Sequence, residues 1–125
     1  MATVGPNQPR RSIRSVATVQ ISTAADGVGD SINITGLKLS SIEMSTAWTA
    51  ANIGFKASLD GTNYYPVYDT SGNFLTYPTS ASRVVAFDPA VFSGFDHLQL
   101  VSETSAGVAV AQAAARTLRL GLVEY

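Results

Sequence analysis

Cysteine is missing from this sequence, and histidine occurs once, at position 97. Disulfides, thiolate metal sites and cysteine nucleophiles are thereby excluded. A Ser-His-Asp system would have to run through His97. Asp96 is adjacent to it, and neighbours in a strand point to opposite faces, so the two cannot pair directly. No serine sits in a nucleophile-elbow pattern. Charge is scarce too, at 14% of residues against roughly 25% in a typical globular protein. A surface so poor in charge must be covered by Ser, Thr, Asn and Gly, or by another subunit. The net charge of −1 gives no general attraction to nucleic acid or to an anionic membrane, and neither is expected as a partner. No apolar run approaches the ~18 residues that span a bilayer. The N-terminal stretch MATVGPNQPRRSIR lacks the apolar segment of a secretory signal. The expectation is a protein that starts in the cytoplasm of the cell that makes it.

The acids do not assemble into chemistry either. Asp60-Gly61 and Asp88-Pro89 are turn dipeptides, and Glu43, Glu103 and Glu124 are scattered. Glycoside hydrolysis needs two carboxylates flanking one bond, and no such pair can be read here. Asp26-Gly27-Val28-Gly29-Asp30 lacks the ligand spacing of a calcium loop, and turn chemistry explains the same residues. There is no glycine-rich phosphate loop. The aromatics sit beside acids and prolines rather than among basic residues, unlike a stacking platform for single-stranded nucleic acid. No catalytic residue, metal or cofactor is expected, and the chain does not read as an enzyme.

What is present is β-structure. One core and one domain fit 125 residues. The chain is organised around Trp48 to Asp69, WTAANIGFKASLDGTNYYPVYD. Ile53, Phe55, Ala57 and Leu59 alternate with Gly54, Lys56, Ser58 and Asp60, which puts the first set in a core and the second in water. Asp60-Gly61 predicts a tight hairpin turn. Tyr64, Tyr65, Val67 and Tyr68 supply the return strand, and Pro66 marks it as an edge or bulged strand. Trp48 and at least one tyrosine are expected in the core.

The rest of the chain repeats the pattern. Val16 to Ser22 reads as a strand with Ala17, Val19 and Ile21 on one face. Ile32 and Ile34 make a second, ended by Gly36. Leu37, Leu39, Ile42 and Met44 change parity between Leu39 and Ile42, which predicts a bulge near Ser40-Ser41. Asn73 to Tyr77, Arg83 to Phe87, Leu98 to Val101 and Thr117 to Val123 are further strands. Val91 to Phe95 reads as a loop or single helical turn that buries two phenylalanines. Ala106 to Ala115, almost all small residues, has a propensity that allows helix, but the strands flanking it favour an extended segment that crosses the sheet. Short strands with turn signals roughly every ten residues predict an all-β fold, a single antiparallel β-sandwich or jelly roll. Its core is expected to hold Ile53, Phe55, Leu59, Val67, Val85 or its neighbour, Leu100, Leu118 and Leu120.

Residues 1–14 stand apart, with Pro6, Pro9, Arg10, Arg11 and Arg14 and no periodicity. They read as an extended basic arm, leaving 15–125 as the sandwich domain. Arg10, Arg11 and Arg14 are the candidate partner contacts, suited to an acidic surface on another subunit. Tyr64, Tyr65 and Tyr68 form the candidate ligand face of the alternative reading, a receptor- or carbohydrate-binding module.

The pattern W-T-A-A-x-I-x-F-x-A-S-x-D-G-x-x-Y at Trp48 to Tyr64, with Phe87-Asp88-Pro89 and the close Ala113 to Leu118, resembles small structural proteins of tailed phages. The resemblance spans roughly residues 45–120 and does not include the arm. It implies a β-sandwich virion subunit of head or tail, a capsid decoration protein or the base of a head fibre, without catalytic residues. The implied partners are the major capsid protein or another virion subunit, and further copies of the chain. The charge-poor, Ser/Thr/Ala-rich surface suits a closed homo-oligomer, most simply a trimer.

Overall fold

A computed structural model describes residues 14–124, which form nine strands. They are β1 (Arg14–Ile21), β2 (Val28–Asn33), β3 (Leu37–Glu43), β4 (Asn52–Ser58), β5 (Tyr65–Pro66), β6 (Thr76–Tyr77), β7 (Val84–Ala86), β8 (His97–Glu103) and β9 (Arg116–Glu124). All pairings are antiparallel. The order is β5-β4-β8-β2-β1-β9-β3-β7, and β6 pairs with β4 beyond β5. The single β1–β2 register pair, Ile21↔Gly29, is the hinge where the sheet curls. Its two halves then enclose one core, which is the predicted β-sandwich.

The alternation of apolar residues sets this core. Val19 and Ile21 of β1, Leu39 and Ile42 of β3, Ile53 and Phe55 of β4, Leu98 and Leu100 of β8 and Leu118, Leu120 and Leu122 of β9 are all buried. Val67 and Val85 are half-buried against them. The parity change in β3 is a register shift between Leu39 and Ser41 against β9, where it was expected. Trp48 is buried, and its Nε1 donates to the Ala51 carbonyl at 3.1 Å. A cluster of rings closes the open side of the sandwich. Phe55 meets Tyr77, Phe87 and Phe92 edge-on, with centroids 6.0, 5.8 and 4.9 Å away. Phe92 arrives on a single 3-10 turn, Pro89–Phe92, whose N-cap Asp88 accepts from the Ala90 N–H.

Several sequence expectations are corrected. Leu59 does not join the core: it is 72% exposed. β4 ends at Ser58, and the chain bends outward through residues 59–64 before Ala57 pairs with Tyr65. The connection is therefore a six-residue loop and not a two-residue turn, although Gly61 does take a positive φ of 79°. Ser58 and Gly54, assigned to the water face, are buried. The strand expected over Asn73–Tyr77 shrinks to Thr76–Tyr77, with Phe74 bridging Tyr68 in a small hairpin that projects from the β5–β6 edge. The strand expected over Arg83–Phe87 is Val84–Ala86, at the other edge. Residues 106–115 are not helical, and they do not cross the sheet as one extended segment either: the chain turns through Gly107 (φ 81°), folds back so that Ala109 bridges Glu103, bends again at 113–114, and only Gln112 among them is buried.

Candidate interaction surface

The six-residue loop after β4 is built by two side chains. Ser58 Oγ donates to Asp60 Oδ1 at 2.8 Å and accepts from the Asp60 and Gly61 N–H groups at 3.2 and 2.8 Å. Asp60 accepts in turn from the Thr62 and Asn63 N–H groups, each at 2.8 Å, and from Asn63 Nδ2. These donors, led by the Asn63 and Thr62 amides, hold the Asp60 carboxyl far below the usual carboxylate range, so it is ionised. His97 lies directly across from Ser58, and its ring sits beneath Gly61. The three residues needed for nucleophilic catalysis are thus close, yet the chemistry is spent. The Ser58 proton is given to Asp60, its oxygen is taken by two amides, and it is buried. His97 Nδ1 is buried without a partner. The cluster is a loop anchor.

Beyond this loop runs an apolar trough along the β5 edge. Three continuous depressions of about 380, 350 and 340 Å³ make it up. Their walls include Leu59, Tyr65, Pro66, Val67, Tyr68, Leu75, Val91 and Phe95. Tyr65 is 68% exposed and Tyr68 53%, and Tyr68 stacks on Phe74 with centroids 4.6 Å apart. Tyr64 is different: it is half-buried, and its hydroxyl is hydrogen-bonded to Ser31 Oγ on the outer face of β2. Of the three tyrosines expected on one ligand face, the structure brings Tyr65 and Tyr68 to the trough and turns Tyr64 away from it. Leu59 and Val91 were missed as surface residues. Their hydrophobicity pointed inward, and only the break of β4 at Ser58 tells otherwise for Leu59.

Two acids line the trough, Asp69 and Asp60, and no basic side chain does. Asp88 stands at the head of the turn that carries Val91. Of the three arginines, Arg10 and Arg11 lie outside the described residues. Arg14 is the first residue of β1, paired with Val123, so the sheet begins one position earlier than the division at 15 implied. No group of three or more metal-ligating side chains occurs among the described residues. Of the stretch Asp26–Asp30, read as one turn, only the start is a turn: Asp26 Oδ1 accepts from the Val28 N–H, whereas Val28 to Asp30 already belong to β2 and Asp30 Oδ2 accepts from the Gln20 N–H of β1.

One acid departs from the sequence reading. Glu103 is 7% exposed, and its carboxyl lies over Gly54, so close that an added Cβ there would come within 2.4 Å of it. Desolvation pushes its pKa up, against a smaller opposite pull from Lys56. A carboxyl whose folded pKa is raised binds more protons in the native state than in the unfolded one. Stability therefore falls as pH rises from the ordinary glutamate value, about 4.3, through the raised one. Glu103→Gln should remove this slope. Denaturant midpoints of both proteins measured from acid to neutral pH check it, and parallel curves would refute it.

No family model matches the chain, and no curated protein matches it by sequence. Solved structures do resemble it. The SPBc2 prophage-derived protein YomS aligns over 94% of this chain and 100% of its own, at 13% identity and a TM-score of 0.54. At that identity the likeness is one of fold. The infectious bursal disease virus structure, Gx strain, aligns over 100% of this chain and 36% of its own, at 13% identity and a TM-score of 0.36.

Proposed function

We propose that the chain is a non-enzymatic structural subunit of a phage virion. It binds the particle as a decoration or head-fibre-base protein, through its body and its N-terminal arm. The observation that supports this reading best is the end-to-end sharing of one sandwich fold with a prophage-derived protein. The phage-like pattern from Trp48 to Tyr64 points the same way. A surface low in charge, with Leu59, Tyr65, Tyr68, Val16 and Val84 exposed, suits a protein covered by neighbours. Those neighbours are the major capsid protein or another virion subunit, and further copies of the chain in a homotrimer. The arm, residues 1–13 and the start of β1, brings Arg10, Arg11 and Arg14 to an acidic surface on the partner. Each exposed ion pair contributes only about 0–1 kcal/mol, and many copies on one shell multiply the term.

The test is co-sedimentation with undecorated capsids. Full-length protein should bind at fixed stoichiometry to the capsid protein, and released subunits should scatter light as trimers. Deleting residues 1–13, which spares β1, should weaken attachment, and raised salt should reproduce part of the loss. Equal occupancy by both forms at low and high salt removes the arm from the mechanism. A chain missing from purified particles of its phage overturns the reading. The alternative, a receptor- or carbohydrate-binding module, draws on the exposure of Tyr65 and Tyr68. A glycan-array hit lost in Tyr65→Ala would favour it.

A further inference from the structure

The two ends of the sheet are built differently. At one end Pro66 sits in β5, and the small hairpin of Tyr68 and Phe74 projects beyond it. Proline cannot donate to a ladder, so that end is poorly suited to further pairing. At the other end stands β7, which among the described residues pairs only with β3. Natural sheets guard such an edge with proline, lysine or a bulge. β7 carries none of these. It reads Val-Val-Ala, its register against β3 is unbroken, and Val84 is 63% exposed.

The hydrogen bonds on either side of β7 show which of its groups face outward. The Met44 N–H donates to the Arg83 carbonyl, and the Phe87 N–H to the Ser40 carbonyl. In an antiparallel ladder, bonded pairs alternate with non-bonded ones. Val85 therefore turns its N–H and carbonyl to Ile42, while Val84 and Ala86 turn theirs to the open edge. Another antiparallel strand supplies its donors and acceptors at this same two-residue spacing. The ends of β7 are also opposite in charge, with Arg83 before it and Asp88 shortly after it. A second β7 laid antiparallel brings Arg83 of each copy to the Asp88 end of the other. The edge is thus complementary to itself in backbone and in charge.

We infer that β7 pairs with β7 of a second copy of the chain across a two-fold axis, so that one sheet runs through both. Val84 of each copy faces Ala86 of the other, and the two Val85 residues meet on the axis. Registers shifted by two would bring Ser82 or Asp88 into the ladder. Ser82 has a φ of 59°, and its N–H is already given to the Ser45 carbonyl. Asp88 caps the 3-10 turn. The centred register uses extended residues only. It forms roughly four backbone hydrogen bonds, two for each facing pair. It also joins Val84 and Ala86 of both copies into one strip on the outer face. Each edge is used up by the other, so this contact closes at two chains. Being two-fold, it is a different contact from the one that closes a trimer, and it does not depend on the virion reading.

A chain without cysteine suits a disulfide test. Val84→Cys and Ala86→Cys each replace an exposed side chain, so the fold should survive, and an unchanged thermal midpoint of the reduced proteins checks that. Position 84 of one copy should lie opposite 86 of the other at about 5.5 Å between Cα atoms, which a disulfide spans. Two copies of position 84, or two of 86, should lie on the diagonal at about 7–8 Å, beyond its reach. The proteins are oxidised with glutathione disulfide at roughly millimolar concentration, where a Kd of about 1 mM still leaves a sizeable share of chains paired. Non-reducing denaturing gels count the linked pairs, whatever larger assembly they came from. An equal mixture of the two variants should form the mixed dimer roughly tenfold faster than either alone forms its own. Adding Arg83→Glu to both variants sets a carboxylate beside Asp88 of the other copy, and should slow the mixed dimer roughly three-fold. Equal rates in the mixture and in the two separate samples, as random collision gives, overturn the inference. Faster linking of Val84→Cys to itself overturns it by assigning another register, and so does the lack of any dimer.

Discussion

Phe55→Ala should lower the free energy of unfolding by about 3–5 kcal/mol. The residue sits on β4, is 2% exposed and stands at the centre of the ring cluster formed with Tyr77, Phe87 and Phe92. Truncation removes the transfer free energy of the ring and leaves a cavity lined by rings that belong to different elements. β6, the Pro89–Phe92 turn and the strand β4 cannot all move in to fill it, since β4 is held on both sides by pairing. Three edge-to-face contacts are lost as well, each contributing about 0.5–1.5 kcal/mol beyond area. Against a total stability of about 5–15 kcal/mol this is a large fraction. Tyr65→Ala, on an exposed ring of β5 across from Ala57 of β4, should change stability by no more than about 0.5 kcal/mol. The check is a denaturant titration in which the Phe55→Ala midpoint drops and the slope is kept. Equal midpoints for the two variants would mean that the ring cluster is not the core.

The contrast between those two residues shows what the sequence can and cannot say. Ile53, Phe55, Leu98, Leu100, Leu118 and Leu120 are read correctly because period-two alternation is a property of the strand itself. Even the bulge in β3 is legible, as a change of parity between Leu39 and Ile42. Leu59 continues the same alternation and is wrong, because Ser58 and Asp60 gather four backbone N–H groups and end the ladder one residue earlier. Side-chain competition for the backbone leaves no periodic trace. The trough is invisible for the same reason: it exists where Leu59 and Phe95, distant in sequence, flank an edge strand. Glu103 looks like one of three scattered acids, and its burial follows from the missing side chain of Gly54 on the neighbouring strand. The three tyrosines look alike in sequence, but Tyr64 is tied to Ser31 while Tyr65 and Tyr68 stay exposed. The arginines of the arm are plain in the sequence, and what they meet is a question of partners.

Gln112→Ala should cost about 2–4 kcal/mol, nearly as much as losing a core ring, although no apolar area is at stake. The residue is 2% exposed within a stretch of otherwise small side chains. Its amide uses all four of its hydrogen-bonding positions. Nε2 donates to the Thr49 carbonyl at 3.1 Å and to Ser102 Oγ at 2.8 Å, and Oε1 accepts from the Thr49 N–H at 2.8 Å and Arg116 Nε at 3.2 Å. Thr49 Oγ1 completes the lattice, accepting from the Ala113 N–H and Arg116. One side chain therefore fixes the loop before β4, the segment 106–115 and the start of β9 onto β8. The alanines around it are exposed and supply little hydrophobic hold, so the segment depends on this amide. Removing it strands the Thr49 N–H and carbonyl and the Ser102 hydroxyl, and a buried group without a partner costs about 1–3 kcal/mol. Gln112→Leu separates this account from a packing one. Leucine restores volume and makes none of the four bonds, so it should be no better than alanine. Hydrogen exchange should quicken at residues 49 and 106–113 in both variants, ahead of the β4 and β8 amides. A leucine variant as stable as the unmodified chain would show that Gln112 holds the segment by filling space, and that its hydrogen bonds are incidental.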